Sequence, residues 1–109
     1  MRIIVVTTEQ IHGKKINQTL GMARGNSVRA RNIGRDILAI FRNIAGGEIH
    51  EYTKLLAEAR EQALDRMTEE ARSLGANAVV NVRFATSMVA QGAAELLAYG
   101  TAVVVEDSE

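Results

Sequence analysis

The segment that most constrains the fold is residues 94–106, because apolar side chains occur at both alternating sets of positions along it. In a β-strand these two sets point to opposite sides of the sheet. A strand that is apolar on both sides is normally covered on both sides. The run 84–94, which includes the expected hairpin tip, contains no charged residue. We therefore expect other copies of the chain to cover the remaining apolar surface, giving a closed ring of identical subunits.

Apolar periodicity predicts four strands and two helices. The strands are residues 3–8, 16–29, 76–88 and 94–106, and the last two form a long antiparallel pair. A short helix is predicted from Asn32 as N-cap to a stop at Gly46. A long helix covers residues 51–74, with Gly75 as the residue that ends it. The prediction is a single α+β domain over 1–109, in the order ββααββ, with an antiparallel sheet, one short helix and one long helix.

The side-chain alternation assigns strand residues to faces of the sheet. One face of the second strand is predicted to carry Leu20, Met22 and Val28. One face of the third strand is predicted to carry Val80, Val82, Phe84 and Met88. Gly21 and Gly25 indicate a bulge or a close backbone approach. On the long helix, Arg66 and Glu70 have the i, i+4 spacing of an ion pair, and the apolar stripe ends at Leu74.

Composition favours a protein of the cytoplasm. The 109 residues include no cysteine, which excludes disulfides, thiolate metal ligands and a cysteine nucleophile. The N-terminal apolar run is too short for a signal peptide, and no stretch approaches the length of a membrane span. We expect no membrane association and no cofactor. Catalytic arrangements such as a nucleophile elbow or a phosphate-binding glycine loop are absent from the sequence, so we expect a protein that is not an enzyme.

The net charge is zero, but its distribution is uneven. Residues 14–42 carry seven basic groups against one acidic group, and residues 48–109 carry eleven acidic groups against five basic ones. Such asymmetry fits either an anionic partner or complementary halves within the fold or between subunits. We favour complementary halves, because a nucleic-acid-binding protein usually has a basic total as well. We therefore do not expect nucleic acid as the partner.

The most organised polar feature is a row of three arginines on the short helix. Arg31, Arg35 and Arg42 fall within about 40° of one another, opposite the apolar stripe. They fit a solvated helix face or partners for acidic groups nearby. The alternative is anion binding, since ring symmetry would repeat the row as a dense positive band that attracts phosphate or nucleic acid.

Five short stretches, in the same order along the chain, resemble the YbjQ-like family. They are Asn-Ile-Gly-Arg-Asp at 32–36 with Ile-Ala-Gly-Gly at 44–47, Tyr52 with Lys54, Ala-Arg-Ser-Leu-Gly-Ala-Asn-Ala-Val-Val at 71–80, and Tyr-Gly-Thr-Ala-Val-Val-Val at 99–105. The resemblance covers essentially the whole chain. It implies a dodecin-like arrangement assembled as a homopentamer. The family has no established function, although a heavy-metal-binding label is sometimes attached to it.

That label directs attention to the possible metal ligands His12, Glu48, His50 and Glu51. The last three have no i, i+4 spacing that would place His50 and a glutamate on one helical face, and His12 lies in a distant turn. Soft heavy metals prefer thiolates, which the chain lacks. We interpret these residues as exposed groups around a helix start and assign no metal site. Metal binding remains the second alternative function, as a site shared between subunits.

Four polar residues interrupt the apolar strands: Asn77, Asn81, Arg83 and Glu95. Polar groups within a sheet need hydrogen-bond partners. We expect inter-strand or inter-subunit hydrogen bonds, with a ligand pocket at a subunit interface as the alternative. The leading hypothesis is a non-enzymatic homo-oligomeric ring that binds a small ligand or ion, or serves as a scaffold.

Overall fold

The computed structural model of the chain describes residues 2–29, 49–90 and 93–108. These contain five elements: β1 (Ile4–Val5), β2 (Lys14–Arg29), α1 (Ile49–Ser73), β3 (Ala78–Ala90) and β4 (Ala93–Asp107). The predicted α+β class is confirmed. The described order is ββαββ and differs from the predicted ββααββ, because the expected short helix and the residues Arg31, Arg35 and Arg42 lie outside the described residues.

The four strands form one mixed sheet in the order β1-β3-β4-β2. β4 is antiparallel to both β2 and β3, but β1 is parallel to β3. The prediction of a wholly antiparallel sheet is therefore wrong at this edge. The long connection from β1 to β3 contains α1, and a connection of this length allows two strands to run in the same direction.

The long helix α1 packs mainly on β2, to a lesser extent on β4 and barely on β3. Its buried stripe has i, i+4 spacing and consists of Ala59, Ala63, Met67 and Ala71. Gly75 ends the helix as predicted, at φ +91°, where an L side chain would be strained. The N–H of Gly75 bonds to the carbonyl of Arg72, and the N–H of Ala76 bonds to that of Ala71. This pair of hydrogen bonds is a Schellman motif.

Leu74 departs from the prediction. It was expected to close the apolar stripe of the helix, but 43% of it is exposed because it lies in the turn after the last helical residue.

Among the described residues, no helix has both the length and the apolar character needed to cross a bilayer.

Gly25 marks the closest approach of β2 to α1. A Cβ atom built at Gly25 would lie 2.2 Å from the backbone nitrogen of Met67 and 2.4 Å from the carbonyl oxygen of Ala63. Real Cβ atoms do not come this close to backbone atoms, so the contact requires glycine. The predicted close approach at Gly25 is confirmed. Gly21 lies at the predicted bulge, with φ +118°.

Two bulges change the faces that simple alternation predicted. The register of β2 shifts between Thr19 and Gly21, so Leu20 packs on the helix-side core while Met22 is 62% exposed on the other face. A bulge inserts one unpaired residue and reverses the alternation beyond it. The prediction that Leu20 and Met22 share a face is wrong for this reason.

The same effect separates two valines of β3. The register shifts between Val80 and Arg83, and Val80 belongs to the core cluster opposite the helix while Val82 belongs to the helix-side cluster. Their predicted common face is therefore wrong. Phe84 is paired with Ala98, which lies on the helix side, but α1 does not cover it and 44% of it is exposed.

The chain itself covers part of each face of β4. On one face Ala98 and Ala102 pack beneath α1. On the other face Val103 and Val105 pack with three residues of the N-terminal segment, Ile4, Val6 and Ile11. The exposed apolar residues Met22 and Phe84 lie on the strands that flank β4, opposite Thr101 and Ala98 respectively.

Candidate functional site

The bulge in β3 is shaped by a glycine on β4. Val80 pairs with Thr101 and Arg83 pairs with Tyr99, so two residues of β3 oppose Gly100. A Cβ atom at Gly100 would lie 2.7 Å from Cγ1 of Val79 and 2.8 Å from the carbonyl oxygen of Val80. The absence of a side chain at Gly100 thus makes room for the bulge.

Asn81, in this bulge, has φ +57° and is the one described non-glycine residue with a positive φ. Asparagine tolerates this left-handed conformation better than most L residues. The backbone N–H of Asn81 donates to the carbonyl of Thr8 at 2.9 Å, and that of Val82 donates to the carbonyl of Val6 at 3.1 Å. The bulge therefore anchors the segment that follows β1.

Arg83 makes a second connection to the same segment. Its Nη1 atom donates to the carbonyl oxygens of Thr7 at 2.8 Å and Val82 at 2.9 Å. The turn that follows is closed by Thr8, whose hydroxyl donates to the carbonyl of Gln10 at 2.6 Å. Arg83 thus lies against a loop that hydrogen bonds hold at both ends.

Between this loop and the bulge lies an open cleft with a volume of about 530 Å³. Six residues line it, and all six carry polar side chains: Thr7, Thr8, Glu9, Gln10, Asn81 and Arg83. We call this feature the bulge cleft. It brings together two of the four polar strand residues singled out from the sequence, Asn81 and Arg83.

The other two polar residues singled out from the sequence lie elsewhere: Asn77 precedes β3 and bonds to β4, and Glu95 joins β4 to β2. The side chain of Asn77 accepts from the N–H of Val105 at 2.8 Å and donates to the carbonyl of the same residue at 2.9 Å. Glu95 on β4 accepts from Nδ2 of Asn26 on β2 at 3.0 Å. Both residues therefore connect parts of the sheet.

The four loop residues of the bulge cleft were not identified from the sequence. Thr7, Thr8, Glu9 and Gln10 form no recognised motif, and they reach the cleft only because the N-terminal segment pairs with β3 far along the chain. The one local signal was Gly100, since an isolated glycine in an apolar strand indicates a bulge or a close backbone approach.

The described residues do not fit a heavy-metal site. They contain no group of three or more histidine, cysteine, aspartate or glutamate side chains placed to hold an ion. His12 is exposed in the turn before β2, and Glu9 is the one carboxylate in the lining of the bulge cleft. His50 and Glu51 belong to the first turn of α1, and Glu48 lies outside the described residues. A soft metal would also lack thiolate ligands here.

A solved structure shares the fold. A protein of unknown function from Pediococcus pentosaceus, which belongs to the DUF74 family, superposes with a TM-score of 0.59. The match covers 95% of this chain and 98% of that chain, at 12% sequence identity. At this identity the likeness concerns the fold alone.

Sequence comparison shows much nearer relatives. A UPF0145 protein of Thermococcus kodakarensis is 63% identical over 107 residues, which cover 98% of this chain and 95% of the relative. A UPF0145 protein of Pyrococcus furiosus is 65% identical over 104 residues, with 95% and 91% covered. The sequence profile of the YbjQ-like family, described as "Putative heavy-metal-binding", matches residues 3–106. The chain therefore belongs to the YbjQ-like family.

Proposed function

We propose that this protein is a non-enzymatic module of the cytoplasm that assembles into a ring of identical subunits and binds a small ligand. Following the family resemblance, the proposed ring contains five copies in a dodecin-like arrangement. The observation that carries the proposal is apolar surface left open on both faces of the sheet, at Met22 and Phe84.

These two residues lie on opposite sides of the sheet. Phe84 pairs with Ala98 on the helix side, and Met22 pairs with Thr101 on the other side. An interface that joins one face of a subunit to the other face of its neighbour is heterologous. Contacts of this kind generate rings when the rotation between subunits closes. Two exposed apolar sites on different faces are what such an interface requires.

The dimensions of the chain also favour association. Its radius of gyration is 17.0 Å, and its principal extents are 56 × 25 × 21 Å. A compact globular domain of this length has a radius of gyration of about 13 Å. The larger radius of gyration of this chain comes from its long strands, of 16, 13 and 15 residues, beside a single described helix. Assembly would bury part of the surface that this elongated shape exposes.

Light scattering after size exclusion tests the proposal. We expect one peak at a multiple of the 11.8 kDa chain mass. Phe84→Glu and Met22→Glu should each release smaller species, because a charge cannot be buried unpaired at an interface without a large cost in free energy. Leu74→Glu is the matched control, since Leu74 is as exposed as Phe84 but lies in the turn after α1. A monomeric wild-type protein at micromolar concentration would contradict the proposal.

Native mass spectrometry separates the parts of the proposal. The mass of the intact assembly gives the number of subunits, and any excess over the chain masses reveals a retained ligand or metal. An assembly of five copies supports the pentamer, and another number contradicts it. A retained heavy-metal ion would favour the metal-binding alternative instead, with ligands supplied by more than one subunit.

A further inference from the structure

We propose that the bulge cleft binds a small zwitterion of the amino-acid type, with its carboxylate on Arg83 and its ammonium group towards Glu9. This inference names a ligand class for the proposed small-ligand function, but it does not depend on the number of subunits. It follows from the donors that Arg83 leaves open, from the presence of Arg83 and Glu9 in one cleft without an ion pair between them, and from the conformation of Asn81.

The guanidinium of Arg83 is held in place and only partly used. Its Nη1 atom donates to two backbone carbonyls, those of Thr7 and Val82. Among the described residues, the Nε and Nη2 atoms have no hydrogen-bond acceptor. This Nε–Nη2 edge has the fork geometry that pairs with both oxygens of a carboxylate. Because the group is already fixed, a ligand would bind with a smaller loss of side-chain entropy.

Glu9 determines which anions suit the cleft. Arg83 and Glu9 line the same cleft, but they are not among the ion pairs of the described residues, which join Lys14 to Asp107 and Arg72 to Glu69. A ligand that carries both charges can satisfy the two side chains at once. A phosphate would instead place a second negative charge near the Glu9 carboxylate, and like charges repel. A zwitterion therefore fits this lining better than a doubly charged anion.

Asn81 lines the same cleft and carries a side-chain amide. Its φ of +57° is a conformation that glycine adopts with less strain. The chain nevertheless has an asparagine at this position, with a polar side chain that glycine would lack. The amide has one acceptor and two donor hydrogens, and it makes no hydrogen bond to the part of the chain that the structure describes. Backbone outliers of this kind cluster at ligand sites, where surrounding contacts hold them. Here the hydrogen bond to the Thr8 carbonyl holds the backbone of Asn81, and the missing side chain at Gly100 leaves room for the bulge.

Ligand-observed NMR on the 109-residue chain tests the inference. The probes are free α-amino acids, each compared with its des-amino carboxylate, and inorganic phosphate. We expect at least one amino acid to bind with a Kd of about 1 mM or lower, and its des-amino partner to bind about tenfold more weakly. No binding by any amino acid, equal binding of the des-amino partner, or tighter binding of phosphate would each overturn the zwitterion site.

Two substitutions locate the binding. Glu9→Gln removes the charge but touches no hydrogen bond that shapes the loop, and it should weaken amino-acid binding about tenfold. Glu58→Gln, on an exposed position of α1 outside the cleft, is the matched control and should leave binding unchanged. Arg83→Lys should also weaken binding because lysine lacks the planar fork. Unchanged binding in Glu9→Gln would contradict the placement.

Measuring the assembly mass of the same variants keeps this inference separate from the proposed ring. The Glu9→Gln protein should keep the wild-type mass while its binding falls. If the wild type is monomeric but binds amino acids, the ring fails and the site stands. If the wild type is a ring that binds none of the probes, the site fails and the ring stands.

Discussion

The carboxylate of Glu70 accepts a hydrogen bond from the backbone N–H of Arg24, with 3.0 Å between Oε1 and N. One helical turn earlier, Nη1 of Arg66 donates to the carbonyl oxygen of Asn26 at 2.6 Å. These two residues were predicted to pair with each other on α1, and that prediction is wrong: each contacts the backbone of β2 instead. β2 is an edge strand, and its open backbone groups would otherwise be available to another strand.

Removing the hydrogen bonds of Glu70 and Arg66 to the edge strand β2 should destabilise the protein and favour aggregation. We expect Glu70→Ala to lower the free energy of unfolding by about 1–2 kcal/mol, because a hydrogen bond to a charged group is lost. Combining it with Arg66→Ala should raise the rate of aggregation, measured by light scattering during slow heating. Glu69→Ala is the matched control, since it breaks only an exposed ion pair with Arg72, typically worth about 0–1 kcal/mol. Equal losses of unfolding free energy in Glu69→Ala and Glu70→Ala would contradict the stabilising role of the Glu70 hydrogen bond.

A methyl group at the contact of β2 with α1 should be severely destabilising. Gly25→Ala places Cβ within 2.2 Å of the Met67 nitrogen, so helix and strand must separate. We expect a loss of about 3 kcal/mol, at the upper end for overpacked sites. Urea unfolding at fixed protein concentration measures it. The comparison is Gly21→Ala, where the space is open and only the φ of +118° causes strain; it should cost about 1–2 kcal/mol. A smaller loss for Gly25→Ala than for Gly21→Ala would contradict this account.

The left-handed residue of β3 provides a test of backbone strain that is independent of ligand binding. Asn81→Gly should retain or slightly raise thermal stability, because glycine adopts a φ of +57° freely. Asn81→Ala should lower the free energy of unfolding by about 1 kcal/mol, because alanine pays the full steric cost of this conformation. Thermal denaturation of the two variants measures the difference. Equal stability of Asn81→Ala and Asn81→Gly would show that the bulge relaxes when its side chain is changed.

The Lys14–Asp107 ion pair should make a small part of the stability depend on pH. The hydrogen bond and the charge of Lys14 lower the pKa of Asp107 from its ordinary value. A lowered pKa in the folded state means that the stabilisation is present above the ordinary carboxyl pKa of about 3.9 and is lost as pH falls through the folded-state value. Wild type should therefore exceed Asp107→Asn in melting temperature at neutral pH and match it at the most acidic pH at which both fold.

The neighbouring residue offers the control for that measurement. Glu106→Gln removes one carboxylate from the same strand end without touching the Lys14 hydrogen bond. The pH dependence that arises from Lys14 and Asp107 should therefore persist in the Glu106→Gln protein. Since Asp107 is exposed, salt should reduce the effect.

Predictions about the elements succeeded where the signal is local. The end of α1 at Gly75 follows from one glycine after an apolar stripe, and its Schellman hydrogen bonds involve residues at most five positions apart. The close approach at Gly25 also followed from its position as a glycine in a strand. The faces of Met22 and Val82 were predicted wrongly, because each lies beyond a bulge that resets the period of two.

The candidate site depended on contacts between distant parts of the chain. Arg83 and Asn81 stood out in the sequence as polar residues in an apolar strand, but nothing in their spacing connected them to residues 7–10. The hydrogen bond from Arg83 to the Thr7 carbonyl joins residues 76 positions apart. Such a contact exists only after β1 has paired in parallel with β3, which the antiparallel prediction did not include.

By itself, the sequence determined the types of the described elements and the family, because apolar periodicity and the order of short motifs can be read along the chain. The tertiary structure decided which face each side chain occupies beyond the bulges and which residues line the bulge cleft. The physical reason is at Gly100 and Asn81: a glycine on one strand makes space for a left-handed residue on the next. Only the pairing of β3 with β4 places the bulge that contains Asn81 opposite Gly100.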